Sequence, residues 1–497
     1  MTEIELKFQV PAARRDAVAA AVAGRAAAPV VLRLQAAYFD TEARDLANRE
    51  IALRLRREGP RWVQTLKAAS GDTLARHEHN VVRPQRGAEP PALDPSLHDG
   101  TPAGDSLRRL LDTLPGSPLR CQYRTDVRRS VRTLRVRGAV LELAFDRGTI
   151  AAGDRSLPLC ELEIELLRGE PAALLATARS WVLRHGLWLD TRSKAERGTL
   201  LAAGQDRAPA RKAKTVTLTD DAHLADAYRA VLRECLQQVV VNASQVASGD
   251  FGDEHVHQLR VGLRRLRTAL RLFESDGGVA ALAEPAAALF RALGAARDAA
   301  AVAGPLRAQL AQALAATGLA LDAPVLPSGE VADPAVLVRA PAAQALLLDV
   351  MAQTLPPPAP AADALPDEPA AAHLTRRLNR WHRSVAAAAA GFGALDDEGR
   401  HRLRRQVKRL RYGVEFAQGL WGAKKVARYL RALSALQERL GALNDVTVAL
   451  DALRGGDPRD PATLFALGWL AARRAELIAA CAPELKRFAA VRRPWKR

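Results

Sequence analysis

The chain opens Thr2-Glu3-Ile4-Glu5-Leu6-Lys7-Phe8, where apolar Ile4, Leu6 and Phe8 alternate with charged Glu3, Glu5 and Lys7. A period of two predicts a β-strand with one apolar and one charged face. Further strand-like runs, bounded by turn residues, follow as AYFDT, IALRLRREG, RWVQTLKA, RHEHNVV, VRRSVRTLRV, AVLELAFDRG and CELEIELLRGE. RRDAVAAAVAGRA, between the first strand and the rest, has the spacing of a helix. Many short antiparallel strands predict a sheet that closes on itself. From about residue 222 the period changes, and alanine and leucine recur at helical spacing almost to the end. The pattern predicts an α+β chain, with a β-rich region first and an all-α region after it.

Two segments break the pattern. DRAPARKAKTVTLTDD, around 206–221, has linker composition, and TLPPPAPAADALPDEPAAA, near 354–372, reads as a flexible connection. The second separates two copies of one unit. HQLRVGLRRLRTALRLFE from His257 and HRLRRQVKRLRYGVEFAQ from His401 align in register 144 positions apart. LGAARDAAAV from Leu293 and LGALNDVTVA from Leu440 follow in the same order, 147 apart. The expected organisation is therefore a first domain over 1–204, a linker over 205–221, and a duplicated helical domain over 222–490. Its repeats span about 222–353 and 373–490.

On a helix, His257, Arg260, Arg264, Arg267 and Arg271 fall on one stripe, beside a second stripe of Leu259, Leu263, Leu266 and Leu270. His401, Arg404, Lys408 and Arg411 repeat the cationic stripe in the second copy, beside Leu403, Val407, Leu410 and Val414. Like charges four apart destabilise a helix by roughly 0.2–0.5 kcal/mol per pair. A row kept in both copies makes sense if an anion neutralises it, and guanidinium forks suit phosphate. The His heading each stripe can join such a site when charged.

Composition sharpens this picture. The net charge is +18 and the pI about 10.5. That excess points to an anionic partner. Aromatic residues make up only 4% of the chain, so stacking platforms for bases are few and sequence-specific nucleic acid is not expected. The four cysteines stand apart without zinc spacing, as expected of reduced thiols in a cytoplasmic protein. The charged opening strand does not read as a signal peptide, and no uninterrupted apolar run reaches about 18 residues, so no membrane span is expected.

The strands carry organised charge too. Arg54 and Arg56 share one parity, as do Arg76 and Glu78, and Glu142 and Asp146. Glu161, Glu163 and Glu165 share a face opposite Leu162, Ile164 and Leu166. Any one such strand fits a solvent-exposed face. Taken together they fit a barrel lined by both signs of charge. Three glutamates on one face repel, and a divalent cation relieves that repulsion. Oxygen ligands suit Mg²⁺ or Mn²⁺ rather than zinc. No Walker A loop is present, so phosphate would have to be held by side chains.

At this point the residues resemble a known family. Glu3-Ile4-Glu5-Leu6-Lys7 is similar to the ExExK signature of the CYTH domain, or triphosphate tunnel metalloenzyme superfamily. Arg54 and Arg56, Lys67, the ELEIE strand at 161–165 and Ser193-Lys194-Ala195-Glu196-Arg197-Gly198 follow in the family's order. The C-terminal half resembles the CHAD domain. The resemblance implies an eight-stranded antiparallel tunnel that cleaves inorganic triphosphate to pyrophosphate and phosphate with Mg²⁺ or Mn²⁺. It implies that Glu3, Glu5, Asp146, Glu161 and Glu163, with Glu165, hold metal. Lys7, Arg54, Arg56, Lys67, Arg76, Arg124, Lys194 and Arg197 would grip the triphosphate. The stripes headed by His257 and His401 would bind inorganic polyphosphate, and polyphosphate granules are one place such a cytoplasmic protein would be found. One departure stands out. The middle strand reads Arg76-His77-Glu78-His79-Asn80, with Asn80 where the family's Arg-x-Glu-x-Glu pattern has a second carboxylate. Two other readings stay open: a non-catalytic polyphosphate-binding protein, and an enzyme for another triphosphate such as thiamine or nucleoside triphosphate.

Overall fold

A computed structural model describes residues 2–24, 29–69, 75–86, 89–136, 138–274, 280–318, 321–324, 332–356, 365–455 and 459–495. The strands are β1 (Thr2–Gln9), β2 (Val30–Asp40), β3 (Ile51–Glu58), β4 (Arg61–Ala69), β5 (Ala75–Arg86), β6 (Arg120–Val136), β7 (Ala139–Ala152), β8 (Arg155–Arg168) and β9 (Trp188–Leu189). Helices α1 (Arg15–Ala23), α2 (Pro102–Leu111), α3 (Pro171–His185) and α4 (Lys194–Ala202) lie among and after them.

The sheet runs β5-β4-β3-β2-β6-β7-β8-β1, every pairing antiparallel, and β1 pairs again with β5. Eight strands thus close a tunnel, as the alternation predicted, and the two-residue β9 adds to β1. The strand over residues 30–35 extends β2 beyond the AYFDT run seen in the sequence.

Strand parity sorts the side chains. Ile51, Leu53 and Leu66 face outward and bury against Leu107 and Leu110 of α2. Leu6, Phe8, Leu141, Leu143, Leu162 and Ile164 are also buried, on the parity opposite the charged residues. The apolar faces turn out under helices, so the charged faces turn in.

One stretch of the interior is apolar. Leu34, Ala36, Tyr38, Tyr123 and Val127 form a cluster there with Ile150 and Leu159, packed against Ala195, Leu201 and Ala202 of α4. Tyr38 and Tyr123 stack at 4.7 Å between ring centroids. Gly198 of α4 presses on that stack: a Cβ there would lie 2.2 Å from the Tyr123 ring.

The rest is helical: α5 (Leu224–Ser248), α6 (Asp253–Leu272), α7 (Ala280–Ala315), α8 (Pro334–Arg339), α9 (Pro341–Gln353), α10 (Ala370–Ala390), α11 (Asp397–Phe416), α12 (Ala423–Leu453) and α13 (Pro461–Ala490). The two copies of the basic motif fall on α6 and α11, and Leu259, Leu263, Leu266, Leu270, Leu403, Val407, Leu410 and Val414 are all buried. The chain divides into two compact units. The first takes in residues 1–212, 236–259 and 338–355; the second takes in 213–235, 260–337 and 356–497. Residues 206–221 form neither helix nor strand, yet Val216 and Leu218 are buried. Of the proline-rich connection, 357–364 lie outside the described residues. All four cysteines are free thiols. No described helix is long and apolar enough to cross a membrane.

Candidate active site

The tunnel holds a cavity of about 500 Å³. Lys7 of β1, Arg54 and Arg56 of β3, Lys67 of β4, Arg129 of β6 and Lys194 of α4 bring six cations to its wall. Glu5, Glu78, Glu142, Asp146, Glu163 and Glu165 bring six carboxylates. Each strand contributes through the residues of one parity, so the clustering is a direct product of the pleat.

The two signs are paired unevenly. Deep in the site Asp146, Glu161 and Glu163 have oxygens within 4.8 Å of one another. Lys194 lies 2.8 Å from Asp146, 2.5 Å from Glu161 and 2.7 Å from Glu163. Arg129 forks onto Asp146 with two bonds of 2.7 Å and also donates to Glu163. Arg197 donates to Glu161 at 3.0 Å. Three cations therefore match three carboxylates. Burial alone would raise Glu163, but Arg129 and Lys194 outweigh it and hold the carboxyl well below its usual range. Burial would likewise lower Lys194, and its three carboxylates hold it well above the usual lysine value.

Glu5, Glu142 and Glu165 are different. They stand side by side across β1, β7 and β8, with Glu165 opposite both Glu5 and Glu142 in the ladder. They form no ion pair among the described residues. Burial, then Glu5 and Glu142, push Glu165 up to about 7. This group carries excess negative charge, and all its donors are oxygens. Oxygen donors suit a hard divalent cation, but the described carboxylates close enough to share one, with oxygens within 4.8 Å of one another, are Asp146, Glu161 and Glu163.

On the other wall Arg54 and Arg56 carry excess positive charge. Each keeps a buried Nε–H without a hydrogen-bond partner. Arg54 donates to the Tyr38 hydroxyl at 3.2 Å, and Arg56 pairs with Glu58. Lys67 pairs with Glu78 at 2.7 Å. Buried guanidinium donors with spare capacity fit a polyanion.

The segment Ser193–Gly198 shows why each residue is there. Ser193 caps α4 by accepting from the Glu196 N–H at 3.0 Å. That cap places Lys194 at the first turn, aimed into the site. Arg197 turns to Glu161 and the Pro158 carbonyl, and Gly198 makes room for Tyr123.

Of the expected tunnel residues, Glu5, Lys7, Arg54, Arg56, Lys67, Asp146, Glu163, Glu165 and Lys194 line the cavity. Glu161 and Arg197 lie beneath it, buried and paired to each other. Arg124 is exposed on the outer face of β6, because Tyr123, Thr125, Val127 and Arg129 take the inner parity. Arg129 supplies the inward cation of that strand. The side chains of Glu3 and Arg76 lie outside the described residues; their backbones pair β1 with β5. Asn80 lines the cavity, its side-chain oxygen accepting from Thr65 at 2.7 Å and its amide donating to Glu78 at 2.8 Å. Arg129, Tyr38 and Gln9 were not expected from the sequence, and Glu142, expected on a charged face with Asp146, had been given no role of its own. Gln9 was within reach, since it continues the parity of Glu3, Glu5 and Lys7.

In the helical region Arg260, Arg264 and Arg267 gather over the Phe290 ring, 5.0–5.5 Å from its centroid. Arg271, one turn further, is exposed. Arg404, Lys408 and Arg411 follow one another along α11. Burial, then Arg404 and Arg264, pull Lys408 down to about 7, with Asp445 opposing. Cations of α6 and α11 are thus close enough to repel. His257 is half-buried, and His401 shares a hydrogen bond of 2.6 Å with Asn444.

Residues 1–199 match the family model of the CYTH domain, and 230–454 match that of the CHAD domain. An inorganic triphosphatase of Haemophilus influenzae is 30% identical over 170 residues, which are 34% of this chain and 46% of that protein. The match thus spans less than half of that curated relative. Among solved structures, the CHAD domain from the plant Ricinus communis is 33% identical, covering 58% of this chain and 99% of its own at a TM-score of 0.45. A putative adenylyl cyclase from Hippeastrum, described as having a dominant triphosphatase activity, is 20% identical. It covers 42% of this chain and 98% of its own at a TM-score of 0.28.

Proposed function

Because the chain belongs to the proteins that join a CYTH domain to a CHAD domain, we propose that its tunnel hydrolyses inorganic triphosphate to pyrophosphate and phosphate with Mg²⁺ or Mn²⁺. The observation that carries this reading is the separation of charge within one cavity. Arg54 and Arg56 have buried donors to spare, while Glu5, Glu142 and Glu165 have carboxylates to spare. A triphosphate with a divalent cation brings the missing partner to both walls.

Arg54, Arg56, Lys67 and Lys7 would take phosphate oxygens. Glu5, Glu142 and Glu165 would draw the cation to their wall. Phosphate that draws Lys194 and Arg129 away leaves Asp146, Glu161 and Glu163 short of positive charge, so this trio would share in holding a cation once substrate is bound. Anion and cation then favour each other's binding. When bound, the ion neutralises phosphate oxygens and makes a coordinated water more acidic. The protein's own part is positioning and charge: fixed guanidinium and ammonium groups spread along the triphosphate stabilise the charge that moves to the leaving pyrophosphate.

We further assign the cationic faces of α6 and α11 to inorganic polyphosphate. The support is the crowding of Arg264, Arg404 and Lys408, a repulsion that a polyanion relieves. The test is a panel of tripolyphosphate, thiamine triphosphate and nucleoside triphosphates, each with Mg²⁺ and Mn²⁺. The expected result is cation-dependent phosphate release, fastest from tripolyphosphate. Faster turnover of an organic triphosphate would move the substrate assignment. No turnover together with salt-sensitive polyphosphate binding would leave a binding protein.

A further inference from the structure

The segment between α3 and α4, residues 188–193, bonds in two directions. Toward the tunnel, Leu189 and Trp188 pair with Phe8 and Gln9 of β1, and the Asp190 N–H donates to the Lys7 carbonyl at 2.9 Å. The Lys7 ammonium donates back to the Arg192 carbonyl. The Gln9 amide bridges two carboxylates, donating to Asp190 at 3.0 Å and Glu161 at 3.2 Å. Asp190 is itself clamped by Arg192 through two bonds of 2.9 Å.

Away from the tunnel, the Thr191 N–H and hydroxyl meet the Ser244 hydroxyl of α5 at 3.0 and 3.1 Å. Ser244 also donates to the Val240 carbonyl at 2.8 Å. The Leu189 N–H donates to the Gln344 side chain of α9 at 2.7 Å, and Gln344 is anchored in turn on the Val338 carbonyl at 2.8 Å. Asp190, Ser244 and Gln344 are each only 1% exposed. Buried groups of this kind cannot lose a partner to water without cost, so the network shifts as a unit.

The two ends of this network differ in kind. One end is Lys7, on the cavity wall, and Glu161, in the deep acidic trio. The other is Ser244 and Gln344, which fall among the residues matching the CHAD domain. We propose that residues 188–193 are a positioning strap through which α5 and α9 hold Lys7 and Glu161 in place, so that these helical segments help set the rate of the tunnel's reaction. The proposal rests on the triphosphatase reading for its kinetic consequence, and on geometry alone for its structural one. Gln9, Asp190, Ser244 and Gln344 are positioning residues; none lines the cavity.

The test uses the full chain with Ser244→Ala, Gln344→Leu and Gln9→Leu, and with Ser244→Thr to restore the hydroxyl. Tripolyphosphate turnover with Mg²⁺ should show kcat lowered about tenfold and KM changed less, because Arg54, Arg56 and Lys67, three of the four cations assigned to the phosphates, are not held by the strap. Ser244→Thr should recover most of the loss. Independently, hydrogen exchange in buffer with EDTA should quicken for residues 188–193 and also for 2–10 in Ser244→Ala. Quickening confined to 188–193, or unchanged kcat in Ser244→Ala and Gln9→Leu, overturns the proposal. If the wild type cleaves no triphosphate, the functional reading fails, and the exchange comparison still decides whether the strap transmits. Should Gln344→Leu lose its cooperative melt, Ser244→Ala carries the comparison.

Discussion

At the scale of single residues, parity decides which charges meet. Glu5, Lys7, Arg54, Arg56, Glu163 and Glu165 were legible because each strand has a clear apolar face that fixes the phase of the other. β6 is different. Arg120, Arg124, Arg128, Arg129 and Arg132 put cations on both parities, so its sequence does not reveal which set turns inward. Arg124, which only the family resemblance had put in the site, is on the outward set, and Arg129 stands inward instead. His98 shows a second hidden feature. It is fully buried beside His79, with ring nitrogens 3.0 Å apart, and shares a 3.0 Å bond with Gln64. Burial, then His79, push it down to about 4 from an ordinary 6.5. A histidine kept neutral by the fold contributes stability fully present above 6.5 and lost as pH falls toward 4. Thermal melts between pH 7 and 4 should show this loss, with a shallower pH dependence in His98→Gln. Gly198→Ala should cost about 1–3 kcal/mol by overpacking against Tyr123, read from denaturant melts.

At the scale of elements, the helical period found α6 and α11, and their leucine stripes are buried as the spacing predicts. The cationic stripes are less uniform than the sequence implied. Arg260 is buried, Arg264 and Arg267 are half-buried against Phe290, and Arg271 is exposed. Tertiary packing grades these positions, and a one-dimensional period cannot. Replacing Arg260, Arg264, Arg404 and Lys408 with glutamine should remove salt-sensitive polyphosphate binding, measured by filter retention. Wild-type protein should melt higher with polyphosphate present, and the variant should show no such rise.

At the scale of the whole molecule, the sequence announced a β-rich region followed by a duplicated helical one. It did not announce that residues 236–259 and 338–355 join the compact unit of the tunnel. Nothing in the period of α5 or α9 distinguishes Ser244 and Gln344 from ordinary polar positions; only the fold brings them to residues 188–193. The division of labour proposed above predicts that the glutamine variant of the stripes keeps tripolyphosphate turnover within about twofold of wild type, since its changes remove no cavity cation. On the function proposed above, the tunnel uses its divided charge to cleave triphosphate. Steady-state phosphate release from tripolyphosphate, in Mg²⁺ and in EDTA, tests it most directly when wild type and Glu163→Gln are compared. One phosphate should be released per pyrophosphate, only with the divalent cation, and Glu163→Gln should lose about 10²-fold or more. Equal turnover by wild type and a folded Glu163→Gln, or release that persists in EDTA, would contradict the proposed function.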